Sequence, residues 1–224
     1  MKIIILLSLL LSSDFITYGQ SAIDMKLKNQ LDSVLQLDQK YREILSNGIS
    51  DSTQQDSIAT SLGIEPKSVI KTLWKLQHSI DSSNLVFVED VIMKFGYPGR
   101  TLVGEETCDA AWNVIQHSSK IDKYLDIIKK AATEKELPFR LYAMMYDRYL
   151  MNHKKEQIYG TQVSFLHLKN GESGWFVYPI KNPRKVNELR RKAGFDQSVE
   201  ENAKRLDAEY RVMKISEIKR SLRS

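Results

Sequence analysis

The sequence predicts a mainly α-helical domain, a bundle with one β-hairpin packed against it. Apolar residues recur at helical spacing over most of the chain, and Leu27, Leu31 and Val34 are an example near its start. Two β-rich runs, Thr161–Leu168 and Trp175–Ile180, bracket a short polar segment that contains glycine. This arrangement is typical of a β-hairpin.

Residues 1–20 have the pattern of a secretory signal peptide. Lys2 precedes an apolar run over Ile3–Leu11, and a short polar stretch follows. This run is shorter than the roughly 18 apolar residues of a membrane-spanning helix, and no later segment approaches that length. We expect cleavage near Gly19–Ser21 and an exported mature chain, periplasmic or extracellular. Cys108 is the sole cysteine, so the chain has no intrachain disulfide and depends on its core.

The mature chain is predicted to begin with a helix over residues 21–49, followed by a polar linker over residues 50–65. Asn47-Gly48 ends the helix, and the linker is rich in Ser, Gln and Asp. Residues 66–224 form the helical core, which contains the hairpin near residues 161–180. Its predicted helices are Pro66–Ile80, Val86–Phe95 with a cap at 81–84, Glu105–His117, Ile121–Ala132, Pro138–Asn152, Val186–Ala193 and a last helix from about Ser198.

The last predicted helix carries the basic excess of the chain. Residues 181–224 contain 13 Lys and Arg against 7 Asp and Glu, a net charge of +6, whereas the whole chain has +5. Such a helix is usually a solvated face, and the alternative is attraction to an anionic cell-envelope polymer or to lipid head groups. Nucleic acid is disfavoured as a partner, because the basic residues are not interleaved with stacking aromatic residues.

Two charged residues, Asp147-Arg148, interrupt a helix that is otherwise apolar on every face. A helix of this kind is buried, and buried charges need polar partners. The polar candidates nearest in sequence are Gln116, His117, Tyr159 and Gln162. We expect these side chains to line one polar pocket with Asp147 and Arg148.

His117 is the predicted acid or base of this pocket. It ends its helix, where the negative end of the helix dipole favours a protonated imidazole. Asp147 is the predicted catalytic partner, because a carboxylate bonded to one imidazole nitrogen fixes the tautomer that the other nitrogen presents. The remaining polar residues are predicted to bind the substrate; they are Gln116, Arg148, Tyr159 and Gln162.

Several polar blocks resemble the pattern of a widespread bacterial family of unknown function. They are Ala111-Trp112, Ile115-Gln116-His117, Asp147-Arg148, Gln157 with Tyr159-Gly160-Thr161-Gln162, and Arg190-Arg191 with Gly194-Phe195. Similar to the upstream part of that pattern are Asp38-Gln39 with Arg42, Asp81, Asn84 and Gly96-Tyr97-Pro98. The resemblance covers nearly the whole mature chain and adds Arg190 and Arg191 to the candidate substrate-binding residues. It implies which positions matter and carries no activity.

Neither a metal nor a cofactor is predicted. The sequence has no His-Glu-x-x-His, no paired Cys-x-x-Cys, no Asp-rich calcium loop and no phosphate-cradling glycine loop. Three functions remain open on the sequence alone. The first is a hydrolytic or group-transfer enzyme acting on a polar or anionic cell-envelope substrate. The second is a non-catalytic binding module for a cell-envelope glycan, a peptide or a small anion. In the third, the polar network is purely structural and the basic C-terminal helix is the working surface.

Overall fold

Helices make up most of the structure, a computed structural model that describes residues 22–49 and 51–219. The predicted mainly α-helical fold with one β-hairpin is confirmed. The signal peptide predicted for residues 1–20 lies outside the described residues. None of the helices in the described ranges has the length and apolar character needed to cross a membrane.

The elements follow one another in a simple order. The α-helices are α1 (Met25–Gln39), α2 (Arg42–Asn47), α3 (Ser52–Leu62), α4 (Val69–Phe95), α5 (Arg100–Val103), α6 (Ala110–Gln116), α7 (Ile121–Thr133), α8 (Phe139–Asn152), α9 (Val186–Lys192) and α10 (Val199–Arg205). The strands are β1 (Val163–His167) and β2 (Ser173–Val177), and short 3₁₀ turns lie at Pro66–Ser68, Pro183–Lys185 and Ile215–Glu217.

The main core lies between α1, α4, α6, α7 and α8. α1 follows Asp24, whose carboxylate accepts a hydrogen bond from the Leu27 backbone N–H at 2.9 Å. Leu31, on the apolar stripe of α1, is fully buried in this core. Trp112 of α6 donates its indole N–H to the Leu141 carbonyl of α8 at 2.9 Å. Each helix therefore buries one face, as amphipathic helices in a soluble bundle do.

α4 is one continuous helix of 27 residues. The predicted break at residues 81–84 is wrong, because these side chains bond back into the helix or to a neighbouring helix. Ser82 and Ser83 donate their hydroxyls to carbonyls four residues earlier, at 2.8 and 3.1 Å. Asn84 is buried, and its amide donates to the Val34 carbonyl of α1 at 3.2 Å. The predicted cap is thus a link between α4 and α1.

α2, α3 and the start of α4 form a smaller, separate core. The predicted polar linker over residues 50–65 is wrong, because α3 occupies most of it. Asp51 caps α3 by accepting from the Gln54 N–H at 2.8 Å, and Ala59 is buried against α4. The helix predicted over residues 21–49 is divided into α1 and α2, because the Tyr41 N–H donates to the Gln77 side chain at 3.2 Å.

The hairpin packs on the chain that follows α10. β1 and β2 pair antiparallel, and their inner face carries Leu166 and Phe176, which are buried with Met213. The long basic C-terminal helix predicted from about residue 198 is wrong, because α10 has only seven residues and the chain then runs along the hairpin. Main-chain hydrogen bonds join Glu209 to β2 at 2.9 and 3.0 Å and Lys219 to β1 at 2.7 Å.

Candidate functional site

A polar cavity of about 350 Å³ lies where α2 and the end of α1 approach α6. Seven side chains line it, and all are polar or charged: Gln39, Arg42, Glu43, Ser46, Asn113, Gln116 and His117. α1 and α2 provide the first four, and α6 with its C-cap provides the other three. Two residues of the predicted pocket, Gln116 and His117, are therefore brought together with residues from the N-terminal helices.

His117 lies against the buried carboxylate of Asp38. Its Nδ1 atom is 3.4 Å from Asp38 Oδ1 and 3.3 Å from Asp38 Oδ2. The Asp38 side chain is 1% exposed, whereas that of His117 is 21% exposed. In a neutral imidazole, an Nδ1–H that faces Asp38 leaves Nε2 as the proton acceptor. The expectation that Asp147 orients His117 is corrected, because the carboxylate in that position is Asp38.

Side chains from three helices hold Asp38 in place. Gln39 Nε2 donates to Asp38 Oδ2 at 2.7 Å, and Arg42 Nε lies 3.5 Å from the same oxygen. Arg42 Nη2 in turn donates to Asp81 Oδ1 of α4 at 2.6 Å. The Gln77 amide donates to Asp81 Oδ1 at 2.8 Å and to the Asp38 carbonyl at 2.9 Å. The carboxylate that faces the imidazole therefore has a fixed orientation.

Negative charge exceeds positive charge at the cavity. With a neutral His117, Arg42 is the one cation among the described residues that line the cavity. Asp38 and Asp81 share this cation. Glu43 adds a further carboxylate to the wall. The rest of the lining consists of side-chain amides and one hydroxyl, so the site is suited to hydrogen bonding more than to holding an anion.

Asp147 does not line this cavity and instead fixes the loop between α8 and β1. It is fully buried, and its Oδ1 accepts from the Ile158 N–H at 2.7 Å and from the Tyr159 N–H at 3.1 Å. Its Oδ2 accepts from the Thr161 N–H and the Thr161 hydroxyl, both at 3.0 Å. Burial raises the pKa of Asp147, and these hydrogen bonds act in the opposite direction. Asp147 therefore fixes the backbone between α8 and β1.

Arg148 links that loop to the end of α6. Its Nε donates to Gln162 Oε1 at 3.2 Å, and its Nη1 donates to the Gln116 carbonyl at 2.9 Å. The Gln116 carbonyl belongs to the residue directly before His117. Burial lowers the pKa of Arg148. Arg148 therefore joins Gln162 to the backbone directly before His117, but neither Arg148 nor Gln162 lines the cavity as predicted.

The remaining candidate substrate-binding residues lie outside the cavity. Arg190 is 2% exposed and donates to the Tyr159 carbonyl at 2.9 Å and to the Gln197 carbonyl at 2.8 Å. Its guanidinium lies 4.6 Å from the Phe195 ring centroid. Arg191 is exposed. Tyr159 is half-buried, and desolvation raises its pKa. Arg190 thus packs the loop onto α9.

Asp38 and Arg42 are site residues to which the sequence pattern assigned no role. Asp38 follows Leu31 and Val34 at helical spacing, so a carboxylate occupies a position on the apolar stripe of α1. A charge on the buried face of an amphipathic helix is the signal that marks this position. Among the residues that the structure describes, no group of three or more His, Cys, Asp and Glu could hold a metal ion.

One family model matches most of this chain. The model of a family of unknown function, DUF6624, matches residues 38–215. The chain belongs to this family. The DUF6624 match begins at Asp38 and includes His117, so both partners of the imidazole–carboxylate contact lie within it. No curated protein and no solved structure matches the chain.

Proposed function

We propose that this DUF6624 protein is an exported enzyme of the hydrolytic or group-transfer type, acting on a polar cell-envelope substrate. The observation that carries the proposal is the position of His117, which lines a polar cavity while its Nδ1 faces the buried Asp38. An imidazole that a carboxylate orients is well placed to accept and return a proton. His117 is then the acid/base residue, and Asp38 is its positioning residue.

In the hydrolytic reaction, Nε2 of His117 takes a proton from water while the water oxygen bonds to the electrophilic carbon of the substrate. The bond between that carbon and the leaving group breaks in the course of this attack. The imidazolium returns its proton to the leaving oxygen or nitrogen, so the enzyme ends in its starting state. In group transfer, the hydroxyl of a second substrate takes the place of water.

The charges around the cavity favour an uncharged polar substrate over an anionic one. An anion would compete with Asp38 and Asp81 for Arg42, and Glu43 would repel it. Side-chain amides from Gln39 and other lining residues can both donate and accept hydrogen bonds. Uncharged hydroxyl and amide groups of a substrate would form hydrogen bonds with these side-chain amides.

A non-catalytic binding module is the second candidate, and one distance favours it. The 3.3 Å between His117 Nδ1 and Asp38 is longer than the usual hydrogen bond of about 2.9 Å. An imidazole that is only loosely oriented serves binding as well as catalysis. In free enzymes, however, catalytic hydrogen bonds are often long and shorten when the substrate binds, so the enzyme remains the first proposal.

The test is a ligand screen followed by one substitution. Thermal shift with cell-wall fragments and periplasmic metabolites identifies a ligand, since specific binding raises the melting temperature. For an enzyme, His117→Gln should retain most of the affinity and lower turnover by roughly 100- to 10,000-fold. The matched control is His78→Gln, because His78 is exposed on α4 and does not line the cavity. Unchanged turnover in His117→Gln rejects the catalytic role, and a change in affinity alone supports the binding module.

Export is proposed from the pattern of residues 1–20 and has its own test. Expression of the full chain with its N-terminus intact should yield a shorter mature protein outside the cytoplasm. Mass spectrometry of that protein should place its first residue near Gly19–Ser21. A full-length chain retained in the cytoplasm would reject export and leave the proposed chemistry unaffected.

A further inference from the structure

A second cavity adjoins the proposed catalytic cavity along α1. It has a volume of about 340 Å³ and is lined by Leu35, Gln36, Gln39, Lys40 and Glu43. Gln39 and Glu43 line both cavities and form a shared boundary, whereas the other three residues line only the second one. The second cavity is therefore a continuation of the surface that carries His117.

We propose that the two cavities are adjacent subsites of one cleft that binds a linear, uncharged oligosaccharide. This inference rests on the proposed function and names its substrate class. The bond that reacts lies beside His117, and the next sugar units lie against Leu35 and Gln36. Each cavity is within the size range of small-molecule sites, about 300 to 1,000 Å³.

The lining of both cavities matches the hydrogen-bonding groups of a sugar. A sugar hydroxyl is both donor and acceptor, and so is the side-chain amide of Gln36 or Gln39. Leu35 packs partly against the main core and offers apolar surface to the C–H groups of a sugar ring. Lys40 and Glu43 give the lining of the second cavity one positive and one negative charge, so its formal charge is zero. A lining without net charge favours an uncharged chain over a charged one.

The backbone around the cleft argues against a peptide as the ligand. Extended peptides are commonly recognised by main-chain hydrogen bonds to an exposed strand edge. Here the walls are α1, α2 and α6, whose backbone N–H and C=O groups are largely used within the helices. Recognition must therefore come from side chains, as it does for hydroxyl groups of a sugar chain.

The length dependence of binding tests the two subsites. We would titrate linear β-1,4-linked N-acetylglucosamine oligomers of one to six units into the His117→Gln variant of the mature chain, because this variant should bind the oligomers with strongly reduced turnover. Calorimetry should show affinity increasing by about tenfold or more between the shortest and the intermediate oligomers, which corresponds to about 1.4 kcal/mol, and then levelling off. An affinity that is independent of length, or no binding of any oligomer, would overturn the proposal.

A substitution that fills the second cavity provides a sharper test. Gln36 is exposed on α1, so Gln36→Trp should retain the fold and block that cavity. The control is Gln30→Trp, also exposed on α1 but outside both cavities. We expect Gln36→Trp to remove the gain in affinity for long oligomers and Gln30→Trp to retain it. Equal behaviour of the two variants would reject the second subsite.

Three further outcomes test the class of ligand or separate this inference from the proposed function. We would also titrate alanine peptides of two to six residues. If their affinity increases with length and that of the sugars does not, the cleft binds peptides and the oligosaccharide proposal is overturned. Length-dependent sugar binding by a wild-type protein whose turnover does not depend on His117 would retain the cleft and reject catalysis. Loss of turnover in His117→Gln with no effect of Gln36→Trp would retain catalysis and reject the second subsite.

Discussion

Replacing Asp147 with alanine should destabilise this protein strongly, although Asp147 does not line the cavity. Its carboxylate is fully buried and accepts hydrogen bonds from three backbone N–H groups, those of Ile158, Tyr159 and Thr161, and from the Thr161 hydroxyl. Alanine would leave all four donors without this acceptor. The loop between α8 and β1 would then lose the group that fixes its backbone.

The magnitude follows from the number of donors. Each buried polar group left unpaired costs about 1 to 3 kcal/mol. Water entering the space left by the carboxylate, together with rotation of the Thr161 hydroxyl, relieves part of that cost. We therefore expect the free energy of unfolding to fall by about 3 to 5 kcal/mol. For a domain of this size, 1 kcal/mol shifts the melting temperature by about 2 to 4 °C, so Tm should fall by roughly 10 °C.

Urea unfolding followed by far-UV circular dichroism measures this loss, with calorimetry for Tm. Asp126→Ala is the matched control, because Asp126 is exposed on α7 and should change stability by no more than about 0.5 kcal/mol. The loss of stability in Asp147→Asn should lie between the losses in Asp147→Ala and Asp126→Ala. The amide oxygen of the asparagine can still accept from the Ile158 N–H, whereas its NH₂ group faces the Thr161 donors.

His117→Ala distinguishes a cavity residue from a structural one. The His117 side chain is 21% exposed, and Asp38 retains Gln39 as a donor without it. We expect a loss of about 1 kcal/mol. Equal and large losses for His117→Ala and Asp147→Ala would refute the separation of the two networks. A loss below about 1 kcal/mol for Asp147→Ala would refute the reasoning from buried donors.

Three further predictions concern other residues. Asp38→Asn should lower kcat by about 100-fold with little change in KM, because an amide does not hold the imidazole tautomer as a carboxylate does; steady-state kinetics measures this. Hydrogen bonds from Lys120, then from Tyr124 and Lys123, lower the pKa of Glu89 from 4.5 to about 2. Glu89 thus stabilises the fold above pH 4.5 and loses this contribution as the pH falls toward 2, so Glu89→Gln should flatten the acid-unfolding curve there. Burial raises the pKa of Cys108 to about 11, so iodoacetamide should label it slowly in the native protein and rapidly in urea.

Each of these has a result that contradicts it. An unchanged kcat in Asp38→Asn would remove Asp38 from the reaction. A Glu89→Gln variant with the same acid unfolding as the wild type would mean that the carboxylate gains nothing from its donors in the folded state. Labelling of native Cys108 at the rate seen in urea would show that the thiol is accessible.

The fold class could be predicted from local patterns of the sequence. Helical periodicity and the two β-rich runs depend on residues close together in the chain, and both the helices and the hairpin are present. The break predicted within α4 was wrong for a local reason. A serine can cap a helix or bond back into the preceding turn, and Ser82 and Ser83 do the latter.

The candidate site depended on tertiary structure. Local sequence patterns were enough to predict that His117 ends a helix and that Asp147 and Arg148 need buried partners, because these follow from helical spacing and from the cost of burying a charge. Only the packing of α1 on α6 decided that the carboxylate at His117 is Asp38, which is 79 residues away in sequence. The choice between two acidic residues at such a distance depends on which helices pack together, and spacing within one helix carries no information about it.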